Sequence, residues 1–209
     1  MPIGPLIRRL FGPYEREVAE AYRRIFINLD DFAELIGRWV PQANRILEVG
    51  CGEGAMTERI VRTYPTATLT AIDITPNIGR LYRRNSSTVT FRQQTVEEAA
   101  LREPASFDLV ILSDVMHHVP ADLRSSLMTS IQRAMAPNAS LIFKDWIISA
   151  TPIHWLGTAS DRYLTGDNVV YFTKDGIDRL VTDTFGPGTI RRTGTVKPWH
   201  NNLALLVQR

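Results

Sequence analysis

One cysteine, three lysines and four histidines are all that this 209-residue chain holds of those types, and each scarcity excludes something. A lone Cys51 rules out a disulfide within the chain and argues against a cysteine-based zinc site. It fits a reducing compartment. Lys144, Lys174 and Lys197 are the only lysines, so positive charge comes almost wholly from arginine. With 24 basic against 22 acidic residues, the formal charge of +2 is too small to mark a nucleic-acid partner. No apolar run is long enough to cross a bilayer, so no transmembrane segment is expected. The opening stretch MPIGPLIRRLFGPYEREVAE lacks the continuous apolar core of a signal peptide, and Glu15, Glu17 and Glu20 argue against a transit peptide. The expectation is a cytoplasmic protein. A hydrophobic fraction of 44% and a charged fraction of 22% are those of an ordinary globular chain, and the length sets one domain over 1–209.

Hydrophobic periodicity reads as alternating strands and helices. Residues 13–27 read as an Arg-rich helix, and a second, capped by Asp30 or Asp31, carries Phe32, Leu35, Ile36 and Trp39 before Pro41 stops it. RILEV (45–49), ATLTAID (67–73), TVTFRQ (88–93), FDLVILS (107–113) and SLIFKDW (140–146) read as strands. Residues 54–63, 75–84 and 120–135 read as the helices between them. The nearly continuous apolar character of FDLVILS suits a strand covered on both faces. Alternation of this kind predicts a parallel sheet with right-handed crossovers. The rhythm breaks at 147–172, a long irregular stretch of aromatic and polar residues. A helix at about 174–184, closed by Gly186 and Pro187, and two strands at about 188–197 and 202–208 complete the chain. The expected fold is α/β: a mostly parallel seven-stranded sheet with helices on both faces and a C-terminal antiparallel hairpin.

The strongest motif is Glu48-Val-Gly50-Cys-Gly52-Glu-Gly54, directly after the first strand. Glycines there let the backbone turn tightly and approach a ligand, and the helix that follows offers free N–H groups. Asp73 ends the second strand, where a carboxylate can accept the ribose hydroxyls of an adenosine. Gly50, Gly52 and Ala55 also satisfy the dinucleotide pattern, so an NAD-dependent oxidoreductase competes with a protein that binds S-adenosylmethionine. Three features favour the latter. Glu48 can meet a cationic methionine end, whereas a pyrophosphate gains nothing from it. The chain ends in a hairpin instead of a second βαβαβ half. No Tyr is followed four residues later by Lys, as short-chain dehydrogenases require.

From about Arg45 onward the chain resembles the class I, Rossmann-like S-adenosylmethionine-dependent methyltransferases. ILEVGCGEG is similar to their first motif, TAID to their second-strand acid, QQTVEEA to their adenine-binding segment, and FDLVILSDVMHHV to their fourth strand and active-site edge. The resemblance implies that Glu48, Gly50 and Gly52 line the methionine part of the cofactor. It implies further that Asp73 holds the ribose, Ile74 packs on the adenine, Thr95 and Val96 meet the adenine edge, and Ser113 sits beside the sulfonium. A non-catalytic S-adenosylmethionine-binding protein is the remaining reading.

Ligands of open α/β sheets bind beyond the C-terminal strand ends, and that rule selects the acceptor side. Removing a proton from an alcohol or phenol needs a base, so histidine is the first candidate: His117, then His154 and His200. Asp114 and Asp145 end neighbouring strands and could hold Mg²⁺, as acids do in the loosely similar catechol-type O-methyltransferases. Trp146, Trp155, Tyr163, Tyr171 and Trp199 give the mouth an aromatic lining. Flat rings between polar groups suit a small-molecule acceptor, a hydroxylated metabolite such as a sugar or glycoside. The alternative is a phenol or quinol, because DVMHHV resembles quinone-pathway methyltransferases. No nucleic-acid substrate is expected, since the Asp/Asn-Pro-Pro-aromatic turn of amino-methylating DNA enzymes is missing. Residues 1–42 are expected to form a helical lid with Tyr14 and Tyr22 facing the site; a homodimer contact and a membrane-surface helix are the alternatives, the last weakened by the acidic residues. Residues 147–172 are expected to form the acceptor-side insertion.

Overall fold

The computed structural model describes residues 14–84, 86–160 and 169–208. Seven strands form one sheet: β1 (Arg45–Val49), β2 (Thr68–Asp73), β3 (Val89–Gln93), β4 (Phe107–Ser113), β5 (Met135–Trp146), β6 (Ile190–Thr195) and β7 (Asn202–Gln208). Their spatial order is β3-β2-β1-β4-β5-β7-β6. β1 to β5 pair in parallel, and β7 runs antiparallel to both β5 and β6. This is the expected sheet. Because β7 alone is reversed, β6 points the same way as β1 to β5, and its C-terminal end opens on their side.

Alternation along the central strands sorts apolar side chains to two faces. Ile46, Leu109, Ile111, Ile142, Ala204 and Leu206 pack under α2 (Leu29–Trp39) and α3 (Ala55–Thr63). Leu47, Val110, Leu112, Leu141, Phe143, Leu205 and Val207 pack under α4 (Val96–Arg102), α5 (Arg124–Ala134) and α7 (Lys174–Phe185). Both faces are thus dry. Among the described residues no helix is long and apolar enough to cross a membrane.

Several boundaries differ from the sequence reading. Asn28, not Asp30 or Asp31, caps α2, its side chain accepting from the N–H groups of both aspartates. Residues 75–84 form turns instead of a helix. Pro76, Asn77 and Gly79 break the helical path, and Gly79 adopts φ +62° against the Phe91 ring, where a Cβ would come within 2.7 Å. Thr95 and Glu98 form a reciprocal cap that starts α4, an element the periodicity did not suggest. The insertion is not wholly irregular, because α6 (Pro152–Ser160) lies inside it.

Ahead of the sheet, α1 (Glu15–Phe26) is bound to the body mainly by charge. Arg16 pairs with Glu58 at 2.6 Å, Arg59 with Glu20 at 2.9 Å, and Arg80 with both Glu15 and Glu53 at 2.6 Å. Its C-terminal end is clamped from the other side. The Trp199 indole donates to the Ile25 carbonyl at 2.5 Å, and the Asn202 amide donates to the Phe26 carbonyl at 2.8 Å.

Candidate active site

Beyond the C-terminal ends of β1, β4 and β5 lies an open cleft of about 320 Å³. That is the lower end of the size range of small-molecule sites. Its floor is the glycine turn. Gly50, Gly52 and Gly54 take φ of +78°, +50° and +92°, the left-handed region that glycine enters without steric cost. A Cβ on Gly50 would lie 2.1 Å from Val115, whereas a Cβ on Gly52 would meet nothing within 4 Å. The space over Gly52 is therefore open for a ligand to reach the backbone. The Gly52 N–H donates to Asp73 Oδ2 at 2.7 Å, and the Thr75 N–H donates to Oδ1 at 2.9 Å, so Asp73 is fixed at the rim of the turn. Next to it Ile74 leaves an apolar side chain 74% exposed, a flat partner without a cover.

Glu48 lies at the bottom of the cleft, 3% exposed, and accepts from the Thr57 hydroxyl at 2.7 Å. Burial pushes its carboxyl up to about 7, the Thr57 bond pulling it down and the nearby Asp73 charge adding to the rise. A buried carboxyl that faces the cavity and, among the described residues, forms no ion pair suits a cationic ligand end. Ser113 also lines the cleft. At the far end Thr95 is exposed, but its hydroxyl accepts from the Glu98 N–H, and Val96 is buried in the core. Only the donor proton of Thr95 and the backbone of Val96 remain for an adenine edge. Gln94, on the same strand end, buries an amide nitrogen that has no partner among the described residues. Together the open space over Gly52, the buried Glu48 and the uncovered Ile74 fit S-adenosylmethionine.

The acceptor end is walled by rings. Tyr22 and Phe26 come from α1, Trp146 from the end of β5, and Tyr171 from the last residues of the insertion. Phe26 and Trp146 lie 5.8 Å apart, and Tyr171 stacks on the His117 ring at 5.3 Å. The 3₁₀ turn Met116–His118 holds His117 5% exposed in the wall. The His117 Nδ1 meets Asp145 Oδ1 in a short contact, and Asp145 Oδ2 accepts the His117 backbone N–H at 3.1 Å. Trp146 donates its N–H to the same carboxylate at 2.7 Å. With Nδ1 turned to a carboxylate, Nε2 is the basic nitrogen of the neutral ring.

Asp114 and Asp145 do end neighbouring strands, and with His117 they present ligand-type atoms within 4.8 Å of one another. They do not fit Mg²⁺. Both oxygens of Asp145 already accept from His117, and Asp114 Oδ1 accepts from the buried Lys144 ammonium at 2.6 Å. A fixed cation occupies the place where the ion's charge would be needed.

Other expected residues lie elsewhere. His200 is exposed outside the cleft, and Trp199 serves as the clamp on α1 instead of the acceptor wall. Trp155 points outward, 75% exposed. His154 lies behind Tyr171, edge-on at 4.9 Å, its basicity lowered by burial. Tyr163 lies outside the described residues. Tyr14 is exposed and does not line the cleft, whereas Tyr22 does. The sequence reading missed Arg23 and Phe26 of α1 as lining residues, and it missed Asp145 as the partner of His117.

A family model described as a methyltransferase domain matches residues 46–138. That stretch, a little under half of the chain, is what is similar to a methyltransferase domain. Over 83 residues it is 41% identical to the ubiquinone biosynthesis O-methyltransferase of Xanthomonas campestris pv. campestris (strain B100), a match covering 38% of this chain and 34% of that protein. The counterpart in Xanthomonas oryzae pv. oryzae (strain PXO99A) is 35% identical over 101 residues, covering 46% and 41%. The chain thus matches less than half the length of those curated relatives. Among solved structures, the 1,6-didemethyltoxoflavin-N1-methyltransferase of Burkholderia thailandensis matches with a TM-score of 0.69 at 16% identity, covering 98% of this chain and 88% of that one. The mitomycin 7-O-methyltransferase also gives 0.69, at 15% identity, covering 98% and 60%. At these identities the likeness is one of fold.

Proposed function

We propose that this protein moves a methyl group from S-adenosylmethionine to a hydroxyl of a small, flat, hydroxylated aromatic acceptor, with His117 as general base. The single observation behind this reading is the buried His117–Asp145 pair set in an aromatic wall of the cleft. When bound, the cofactor supplies a methyl carbon activated by sulfonium. The chain's own residues do the rest. Tyr22, Phe26, Trp146 and Tyr171 hold the acceptor ring and exclude water. His117 Nε2 takes the acceptor's hydroxyl proton as the C–O bond forms and the C–S bond breaks. Asp145 fixes the tautomer and stabilises the imidazolium that results, the role of a carboxylate behind a catalytic histidine. Glu48 faces the cationic methionine end, Asp73 the ribose and Ile74 the adenine. Helix α1 covers the cleft as a lid, because Tyr22, Arg23 and Phe26 form part of its lining.

A glycoside acceptor gets no support from the similar proteins, which are named for ubiquinone biosynthesis, mitomycin 7-O-methylation and didemethyltoxoflavin N1-methylation. Trp155 and Trp199, the rings that would stack on a sugar, stand outside the cleft. The test is S-adenosylhomocysteine formation with a panel of phenols and quinols against a panel of glycosides. Turnover confined to the aromatic panel, lowered about 10²–10⁴-fold by His117→Ala with little change in cofactor affinity, supports the reading. Tight cofactor binding with no turnover of any acceptor would favour a non-catalytic binding protein.

A further inference from the structure

Asp114 has no part in the reaction just described, yet it is built with care. It follows β4 directly and adopts φ +56°, a left-handed conformation that Asp tolerates better than most residues. That conformation brings its side chain to the cleft, which it lines. Both oxygens are held: Lys144 donates to Oδ1 at 2.6 Å, and the Ser113 hydroxyl donates to Oδ2 at 3.0 Å. The Lys144 side chain is fully buried, whereas that of Asp114 stays 34% exposed.

Such a pair is a poor device for stability. Removing an ammonium from water costs more than an apolar side chain at the same place, so replacing a buried ion pair by packed hydrophobic residues is often neutral or stabilising. Residue 144 lies on β5 directly after the buried apolar run Leu141–Phe143 and before Asp145. Its ammonium nevertheless keeps one carboxylate ionised and aimed at the cleft. Burial raises the Asp114 carboxyl, but the Lys144 charge, then His117 and the two hydrogen bonds outweigh it and hold it below the ordinary value. An ionised carboxylate only accepts hydrogen bonds. A ligand that offered it no donor would displace water from its exposed part and give no hydrogen bond in return.

Its position says where that donor must be. An Asp114 oxygen and a His117 ring nitrogen lie within 4.8 Å of each other. Resting on the reading of His117 as base, we infer that Asp114 is a specificity-determining residue, selecting acceptors with a second hydroxyl or N–H on the atom next to the one that carries the methylated hydroxyl. Lys144 is its positioning residue. The first hydroxyl gives its proton to His117, and the second donates to Asp114 without being consumed.

Paired acceptors that differ by one hydroxyl provide the test: catechol against phenol, and 3,4-dihydroxybenzoate against 4-hydroxybenzoate. Two readouts are taken, kcat/KM from S-adenosylhomocysteine formation and calorimetric affinity for each acceptor on protein loaded with S-adenosylhomocysteine. The expected result is a preference of about tenfold or more for the dihydroxy member, the scale of one hydrogen bond to a charged group. Asp114→Asn should bring the ratio towards one. The double variant Asp114→Asn with Lys144→Met, which leaves no buried charge unpaired, guards against a folding failure and should do the same. Equal use of both members by the wild type overturns the inference and leaves the proposed function intact. Absence of turnover with every pair instead overturns the O-methylation reading. The affinity arm still decides on Asp114 in that case: a dihydroxy preference lost in the variants supports the inference, and no preference, or no binding, overturns it.

Discussion

Cofactor affinity should depend on pH through Glu48. In the free protein its carboxyl is pushed up to about 7, so it is about nine-tenths protonated at pH 6 and about one-tenth at pH 8. A cationic methionine end binds the carboxylate and not the neutral acid. The apparent affinity for S-adenosylmethionine should therefore rise about tenfold, about 1.4 kcal/mol, between those two conditions and level off above. Binding at neutral pH should release about half a proton, read from calorimetry in buffers of different ionisation enthalpy. Glu48→Gln separates this effect from titration of the cofactor's own amine, because it should flatten the protein's contribution and leave the ligand's. Thr57→Val, which removes the one bond that favours the carboxylate, should move the midpoint up. The same group has a stability signature of opposite sense. The folded protein holds a proton that the unfolded chain releases between about pH 4.5 and 7, so stability falls across that window, by about 3 kcal/mol in the limit. Glu48→Gln should thus raise the melting temperature of the empty protein at pH 8 while it weakens cofactor binding. A wild-type pH profile identical to that of Glu48→Gln would refute this account of Glu48.

Asp145→Asn should lower turnover by about 10²-fold or more with KM for the acceptor little changed, since it withdraws the group that fixes the His117 tautomer; near-normal turnover would remove Asp145 from the mechanism. Asp73→Ala should weaken cofactor binding by about 1–3 kcal/mol in a calorimetric titration, and it should also loosen the glycine turn, since it removes the acceptor of the Gly52 N–H. Activity should survive EDTA unchanged, and a loss restored by Mg²⁺ would show that Lys144 does not fill the place of the ion.

What the sequence revealed, it revealed through local chemistry. Five apolar strands with helices between them specify a parallel sheet, and the reversed β7 leaves β6 pointing with the rest, as the terminal hairpin pattern implied. Glu48 and the glycine turn were legible because a backbone that must enter the left-handed region needs glycine at those positions. The capping box at Thr95 and Glu98 is written in the spacing of a Thr and a Glu three residues apart, where apolar periodicity alone marks no helix. The helix expected over 75–84 failed for a reason already written in the chain. Pro76, Asn77 and Gly79 favour turns, and the packing of Gly79 on Phe91 settles the contest. The contact between His117 and Asp145 was not legible. It joins groups 28 residues apart and depends on a single 3₁₀ turn after β4 folding back over β5. Strand neighbours predict that Asp114 and Asp145 approach each other, which is true, but not which side chain each one takes as partner.

Those partners explain why three carboxyl groups at one cleft, Glu48 and Asp114 in its lining and Asp145 behind His117, are not redundant. Glu48 is buried with a single neutral donor, so its proton is held loosely enough for a cation to displace it near neutrality. Asp114 is tied to a buried ammonium and remains a fixed negative charge. Asp145 has its oxygens committed to one histidine and one backbone N–H, and it acts through that histidine alone. Exchanging the environments would exchange the roles. A lysine beside Glu48 would compete with the cofactor's cation for the carboxylate. A neutral partner beside Asp114 would let it take up a proton and offer a donor where the acceptor's own donor is needed. Residues 57 and 144, neither of which touches a substrate in this scheme, therefore decide what the carboxyl groups above them can bind.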